Sequence, residues 1–330
     1  MNSSLITKIN NINSFLRNKE NNKIDKSELR KLLNSKIGNF ITTDKHMQIN
    51  RYKDNGILSV DGSINNEGAT FPYLITLLRA YAHNTKRDNL GCIEEVEEVF
   101  CPVYKSDRDK LDNLINDMEE GNYSMESIFH SYIKNRLAEL ELISAMEGIK
   151  RFNNKIVLLD GGFKRFEYNC PTLLDEFKEF CLENNVTAVG IIEEVSTHTI
   201  SKLLKDSLTE NYIKDYDREL LFGVLNINEW LKVDLDIEIK IGYYTTFARF
   251  SQHPQIISID FLKEQVDVVD EVMSLLSSLT PLKSRGIPIP IDIVDKEVRI
   301  TDNETSILMG ELDLDIKEKF IVANHNRRQF

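Results

Sequence analysis

Ile57-Leu58-Ser59-Val60-Asp61-Gly62-Ser63 is the stretch on which the reading of this chain turns. Ile57, Leu58 and Val60 are apolar β-formers, so the run predicts a short buried strand. Gly62 and Ser63 predict a tight turn after it, which leaves Asp61 at the rim of a sheet, where a hard cation could be held. Lys155-Ile156-Val157-Leu158-Leu159-Asp160-Gly161-Gly162 repeats the design. Either Asp-Gly alone is more often just a turn. Two apolar strands that both end in Asp-Gly can bring two carboxylates to one place, and the pair shifts the weighting.

The 330 residues carry a net charge of −12, enough chain for one large domain or two small ones. The charge argues against a generally sticky nucleic-acid binder. It leaves room for a nuclease, which needs only a local basic channel beside acidic metal ligands. Cys92, Cys101, Cys170 and Cys181 lack the close spacing of a zinc site and are too sparse for a disulfide scaffold, so buried free thiols are expected. No apolar run reaches membrane-span length, and Met1–Lys8 lacks the core of a signal peptide. The expectation is a cytoplasmic protein with no membrane partner.

Residues 1–55 are polar, with Leu5, Ile9, Ile12 and Leu16, then Leu29, Leu32, Leu33 and Ile37, at helical spacing. They predict a helical N-terminal extension of two helices joined near Asn21-Asn22, ahead of a domain over 56–330. Lys45, Arg51 and Lys53 could face a phosphate backbone, although a solvated face is the commoner role. After Asp61, Asn65-Asn66-Glu67-Gly68 predicts a hairpin turn, Phe71–Tyr81 a second strand and Gly91–Tyr104 a third, giving an antiparallel meander. Helices are expected from Ser106 to near Gly121 and from Ser124 to Gly148 or beyond. Next come strand 155–160, helix 172–183, strand 186–192, and helices at 199–208 and 218–231. Strands 240–250 and 255–261 precede helices at 266–279, 291–300 and 303–312. The fold class is α/β: a mixed sheet with antiparallel N-terminal strands, flanked by helices.

The long helix offers two further acids. At about 100° per residue, Glu141 shares a stripe with Leu137, Ala145 and Gly148, while Glu139 shares a mixed face with Asn135, Met146 and Lys150. A glutamate on a stripe that packs against a sheet is costly unless paired or bound to a cation. Arg136 or Lys134 could supply a structural pair; the metal reading for Glu141 stands slightly ahead of that. Asp295 lies in the second turn of a helix started by Pro290, whereas the helix dipole accounts for Asp292. Asp61, Glu141, Asp160 and Asp295 together make an all-oxygen donor set, which favours Mg²⁺ or Mn²⁺. Two such ions can activate water and stabilise the leaving oxygen in phosphodiester cleavage. A nucleotide-type phosphate loop and a dinucleotide fingerprint are both absent.

Val60-Asp61-Gly62-Ser63, Glu141, Leu158-Leu159-Asp160-Gly161-Gly162 and then Gly286-Ile287-Pro288-Ile289-Pro290 with Asp295 resemble, in that order, the NurA nucleases. The resemblance implies a ribonuclease H-like core, a homodimer and Mn²⁺-dependent (or Mg²⁺-dependent) cleavage of DNA. It also implies 5′→3′ exonuclease and single-strand endonuclease activity, and a HerA-type hexameric ATPase translocase as partner in DNA end processing. It makes Asp61, Glu141 and Asp160 metal ligands and puts Asp295 in the place of a late His or Asp. Two positions depart from the family pattern. Ile287 stands where many members have tyrosine, and Glu193 stands where a lysine often follows the strand Val189–Ile192; Lys202 or Lys205 could substitute. A catalytically weakened DNA-end or translocase-binding adaptor and a metal-dependent phosphatase are the rival readings. The wide apolar stripe Val266, Val269, Val272, Met273 and Leu276 could be core or dimer interface, and core is the commoner fate.

Overall fold

The computed structural model describes residues 3–21, 24–44, 52, 54–117, 124–208 and 216–321, so Lys45, Arg51, Lys53 and Gly121 lie outside the described residues. Among those described, nine strands form one mixed sheet. In chain order they are β1 (Gly38–Thr42), β2 (Leu58–Thr70), β3 (Tyr73–Asp88), β4 (Gly91–Phe100), β5 (Ile156–Asp160), β6 (Thr187–Ile192), β7 (Glu229–Val233), β8 (Tyr243–Arg249) and β9 (Ile257–Leu262). Across the sheet the order is β1-β7-β8-β9-β6-β5-β2-β3-β4. β5 runs parallel to both β2 and β6, and the other pairings are antiparallel.

The meander β2-β3-β4 forms as expected, but its first turn lies elsewhere. β2 does not stop at Asp61: it continues through Gly62, opposite Ala80, to Thr70. Asn65-Asn66-Glu67-Gly68 are paired strand residues, and the chain reverses at Phe71-Pro72. Glycine and asparagine mislead here because a partner strand on one side outweighs their weak strand preference. β2 pairs with β5 only from Leu58 to Val60. Beyond that point β2 continues only within the meander, paired with β3, which is itself paired with β4, and Asp61 stands where the two sheet halves separate.

Two other expectations need correction. The helix predicted at 218–231 is a single turn, Asp217–Leu220, and Glu229–Val233 is strand β7. Leu220, Leu221, Val224 and Leu225 are buried, but Gly223 and Asn228 adopt φ of +67° and +59°, which a helix cannot contain. The N-terminal region forms helices Ser3–Asn21 and Lys26–Lys36 and also contributes β1 to the sheet edge against β7.

Helices cover both faces. On one, Met125–Phe152 starts at Ser124, whose side chain caps Ser127 N–H, and ends at left-handed Asn153. Gly148 lets it sit close: a Cβ there would lie 2.8 Å from Ala82 Cβ and 3.0 Å from Leu58 Cδ2. Ala138, Leu142 and Ala145 join Leu58, Val60, Val157 and Leu159 in the core on this side. On the other face, helices Val269–Leu279 and Ile289–Val298 pack over Ile156, Leu158, Val189 and Ile191. Val269, Val272, Met273 and Leu276 are buried there, so the wide stripe is spent on the core. Cys170 and Cys181 are buried free thiols, whereas Cys92 and Cys101 are only half-buried.

Candidate active site

β2 and β5 place the two Asp-Gly acids. Val60 pairs with Leu159 in parallel register, so Asp61 and Asp160 are the next residues on neighbouring strands. Alternation settles their side. Leu58 and Val60 point into the core under the long helix, so Ser59 and Asp61 point to the other face, where Ser59 Oγ donates to the Pro290 carbonyl at 2.8 Å. Ile156 and Leu158 face the same way, and Asp160 comes next in that alternation. Helix Ile289–Val298 covers this face and carries Asp295 in its second turn.

Glu141 arrives from the opposite side. It is 1% exposed and lies against the Cα of Gly62, where a Cβ would stand 2.6 Å from Glu141 Oε1. Gly62 thus serves close approach rather than a turn. Gly161, at φ +107°, does turn the chain out of β5 toward the helix Phe163–Asn169. Gly62→Ala is expected to push Glu141 aside and cost about 1–3 kcal/mol, read as a lowered urea midpoint at unchanged slope. Glu139 is paired instead with Arg136 at 2.6 Å.

The acids feel one another. Burial, then Asp160, Glu141 and Asp295, push the Asp61 carboxyl up to about 7. Burial also raises Asp160, with Asp295 and Glu193 adding to it, against the pull of Arg165 and Arg285. Glu141 is raised by burial despite Arg165. Four acids from two strands and two helices therefore share one electrostatic site.

Two arginines without a signal in the local sequence pattern border this site. Arg165 Nη1 donates to Glu141 Oε1 at 3.0 Å and Nη2 to Oε2 and to the Asp160 carbonyl, making a bidentate pair. This replaces the expected structural partners Arg136 and Lys134: Arg136 bonds Glu98 and Glu139. The available signal was position, since Arg165 sits one helical turn beyond Gly161-Gly162. Arg285 bonds Glu193 and Asp292 and lies 3.9 Å from Asp295. Asp295 itself pairs with Arg299 at 2.9 Å. Lys202 is on helix Thr199–Leu203 and Lys205 in the 3₁₀ turn Lys205–Ser207. The neighbouring Ile200 and Leu204 pack with Leu29, Leu33 and Leu220 in a separate core. Ile287 is 2% exposed in the core.

Among the described residues, no three His, Cys, Asp or Glu side chains converge into a ready metal cage. The donor chemistry nonetheless fits hard divalent cations, with carboxylate oxygens from four elements and Glu141 Oε1 brought close to the backbone at Gly62. Arg165 supplies the positive charge that balances Glu141.

Fold and site together define a ribonuclease H-like α/β protein with an acidic site at the point where two parallel strands part. The NurA domain model matches residues 3–300, and the chain belongs to the NurA family. The fold is similar to that of the NurA nuclease from Sulfolobus solfataricus, at a TM-score of 0.57 and 14% identity over 94% of this chain and 96% of that one. Endonuclease V from Bacillus subtilis aligns at a TM-score of 0.38 and 13% identity, over 87% and 92% of the two chains. No curated protein matches the chain.

Proposed function

We propose that this protein is a metal-dependent deoxyribonuclease that hydrolyses phosphodiester bonds, with Asp61, Glu141, Asp160 and Asp295 as its acidic site. The observation that carries the reading is the placement of Asp61 and Asp160 side by side where β2 and β5 part, with Glu141 packed against Gly62, the residue after Asp61. Family membership and the likeness to a protein named as a nuclease support it.

Asp61, Asp160, Glu141 and Asp295 would hold Mn²⁺ or Mg²⁺, two ions in the family pattern. When bound, such ions polarise the attacking water and offset charge on the leaving oxygen. The chain's own part is orientation and charge. Glu141 is fixed by Arg165 and packed against Gly62. The Asp61 carboxyl, pushed up to about 7 by burial and the neighbouring acids, is partly protonated near neutral pH and must release that proton to take a cation. Mn²⁺ affinity is therefore expected to rise between about pH 6 and 8, a trend that calorimetric titration in that range will show.

The same reading includes 5′→3′ exonuclease and single-strand endonuclease activity, cytoplasmic action in DNA end processing, and partnership with a HerA-type translocase. It also includes residues 1–55 as an extension of a nuclease domain over 56–330. In the described residues no helix is long and apolar enough to cross a membrane. A homodimer is part of the proposal, and helix Ser3–Asn21 offers an apolar surface for it, with Leu5, Ile9 and Leu16 all more than half exposed. Light scattering at micromolar concentration tests this, and a monomer in moderate salt counts against it.

One observation favours the weakened-adaptor reading: Ile287 is packed into the core and offers no hydroxyl. The deciding experiment is digestion of end-labelled single- and double-stranded DNA with Mn²⁺, Mg²⁺ or chelator. Cleavage that needs a divalent ion is expected. Binding without cleavage under every metal condition would make the protein an adaptor.

A further inference from the structure

We propose that Arg285 is the residue that receives the DNA phosphate at this acidic site, and that Glu193 and Asp292 are positioning residues that aim it. The proposal rests on the nuclease reading above. A cluster of four carboxylates repels a polyanion; bound divalent ions would offset part of that repulsion, and a cation of the chain at the edge of the site would meet the substrate's charge beside them.

Two guanidiniums act on Asp160, Arg165 and Arg285. Arg165 is committed to Glu141 and to the Asp160 carbonyl. Arg285 is 45% exposed and precedes helix Ile289–Val298, which covers the face toward which Asp61 and Asp160 point. Its Nη1 donates to Glu193 at 2.7 Å, and Nε and Nη2 donate to Asp292 Oδ1 at 3.0 and 2.8 Å. It thereby bridges the end of β6 to the helix start across the mouth of the site. A guanidinium has five N–H donors in a planar fork. Among the described residues three are engaged, which leaves one on Nη1 and one on Nη2 for two phosphate oxygens.

The backbone holds this arrangement. Gly286, at φ +103°, turns the chain directly after Arg285, and its N–H donates to Ser284 Oγ at 3.1 Å. Pro288 and Pro290 stiffen the entry into the helix. A half-exposed ion-pair network of this kind contributes little to stability, so a purely structural role for Arg285 predicts almost no effect of removing it.

The test uses a fluorescent single-stranded oligonucleotide, with anisotropy in Ca²⁺ for affinity and Mn²⁺ time courses for KM and kcat. Arg285→Ala is expected to weaken DNA binding and raise KM about tenfold and to flatten the salt slope of binding by about 0.7, with an unchanged melting temperature. Arg285→Lys should recover part of the loss. The double variant Arg285→Ala/Glu193→Lys, which returns a cation to the end of β6, should also recover part. Lys205→Ala should behave as wild type. Wild-type affinity and salt slope in Arg285→Ala, or a loss of affinity matched by a loss of fold, overturns the proposal. If the wild type cleaves nothing, the nuclease reading fails, and the anisotropy arm still decides the role of Arg285.

Discussion

Asp61→Asn is expected to abolish metal-dependent DNA cleavage, by a factor on the order of 10³ or more, and at the same time to make the protein more stable at pH 8. The second effect is a matter of proton linkage. The Asp61 carboxyl has an ordinary value of 3.8 and is pushed up to about 7 in the fold, first by burial and then by Asp160, Glu141 and Asp295. Between those pH values the folded protein holds more proton than the unfolded one. Stability therefore falls as pH rises through the window, and the full cost, roughly 2–4 kcal/mol without bound cations, is present above it. Asparagine keeps the shape without the charge. Melting curves from pH 4 to pH 8 in chelator should show the variant matching wild type at the acid end and exceeding it at the basic end. A variant less stable than wild type at pH 8 would show that Asp61 works for the fold rather than for a cation.

The second large effect belongs to Glu141. Seen only as a metal ligand on a helix, Glu141→Gln ought to reduce Mn²⁺ affinity and cleavage with little loss of fold. Its pair with Arg165 changes that expectation. Removing one partner of a buried ion pair leaves the other charge uncompensated, at about 3–5 kcal/mol. Arg165 keeps 36% of its side chain exposed and can turn toward water, so the low end, about 3 kcal/mol, is expected. Glu139→Gln disturbs only a half-exposed pair with Arg136 and should cost less than about 1 kcal/mol. Urea unfolding and a Mn²⁺ titration of both variants separate the two acids. Equal effects, or a larger one at Glu139, would remove Glu141 from the site.

The difference between Glu139 and Glu141 could be read from the sequence because helical phase is periodic. Leu137, Ala145 and Gly148 mark the packed stripe, and Glu141 is buried on it as they imply. The strands that carry Asp61 and Asp160 were readable from their short runs of apolar β-formers, although either Asp-Gly alone reads as a turn and only the pair points to a site. What stayed hidden was long-range. Gly62 looks like a turn residue in its own context, and only the carboxylate from a helix some eighty positions later shows why it lacks a side chain. Arg165 and Arg285 carry no periodic signal; their partners come from distant segments. Glu193, set against the NurA resemblance, only subtracts a cation from the end of β6, and its bond to Arg285 brings a cation there instead.

The short pairing between β2 and β5 also has a kinetic meaning. β2, β3 and β4 are joined by tight connections and can zip from their turns outward. The contact of Leu58 with Val157 must instead close about 100 residues of chain, an entropic cost that comes before any contact repays it. The meander is thus expected to be structured in the folding transition state and the β2–β5 junction to form after it. Substitutions at Val157 or Leu159 should then mainly speed unfolding, while those at Leu78 or Ala80 slow folding. The acidic site would be completed only once the chain has committed to its fold, so partly folded forms would hold Asp61 and Asp160 apart.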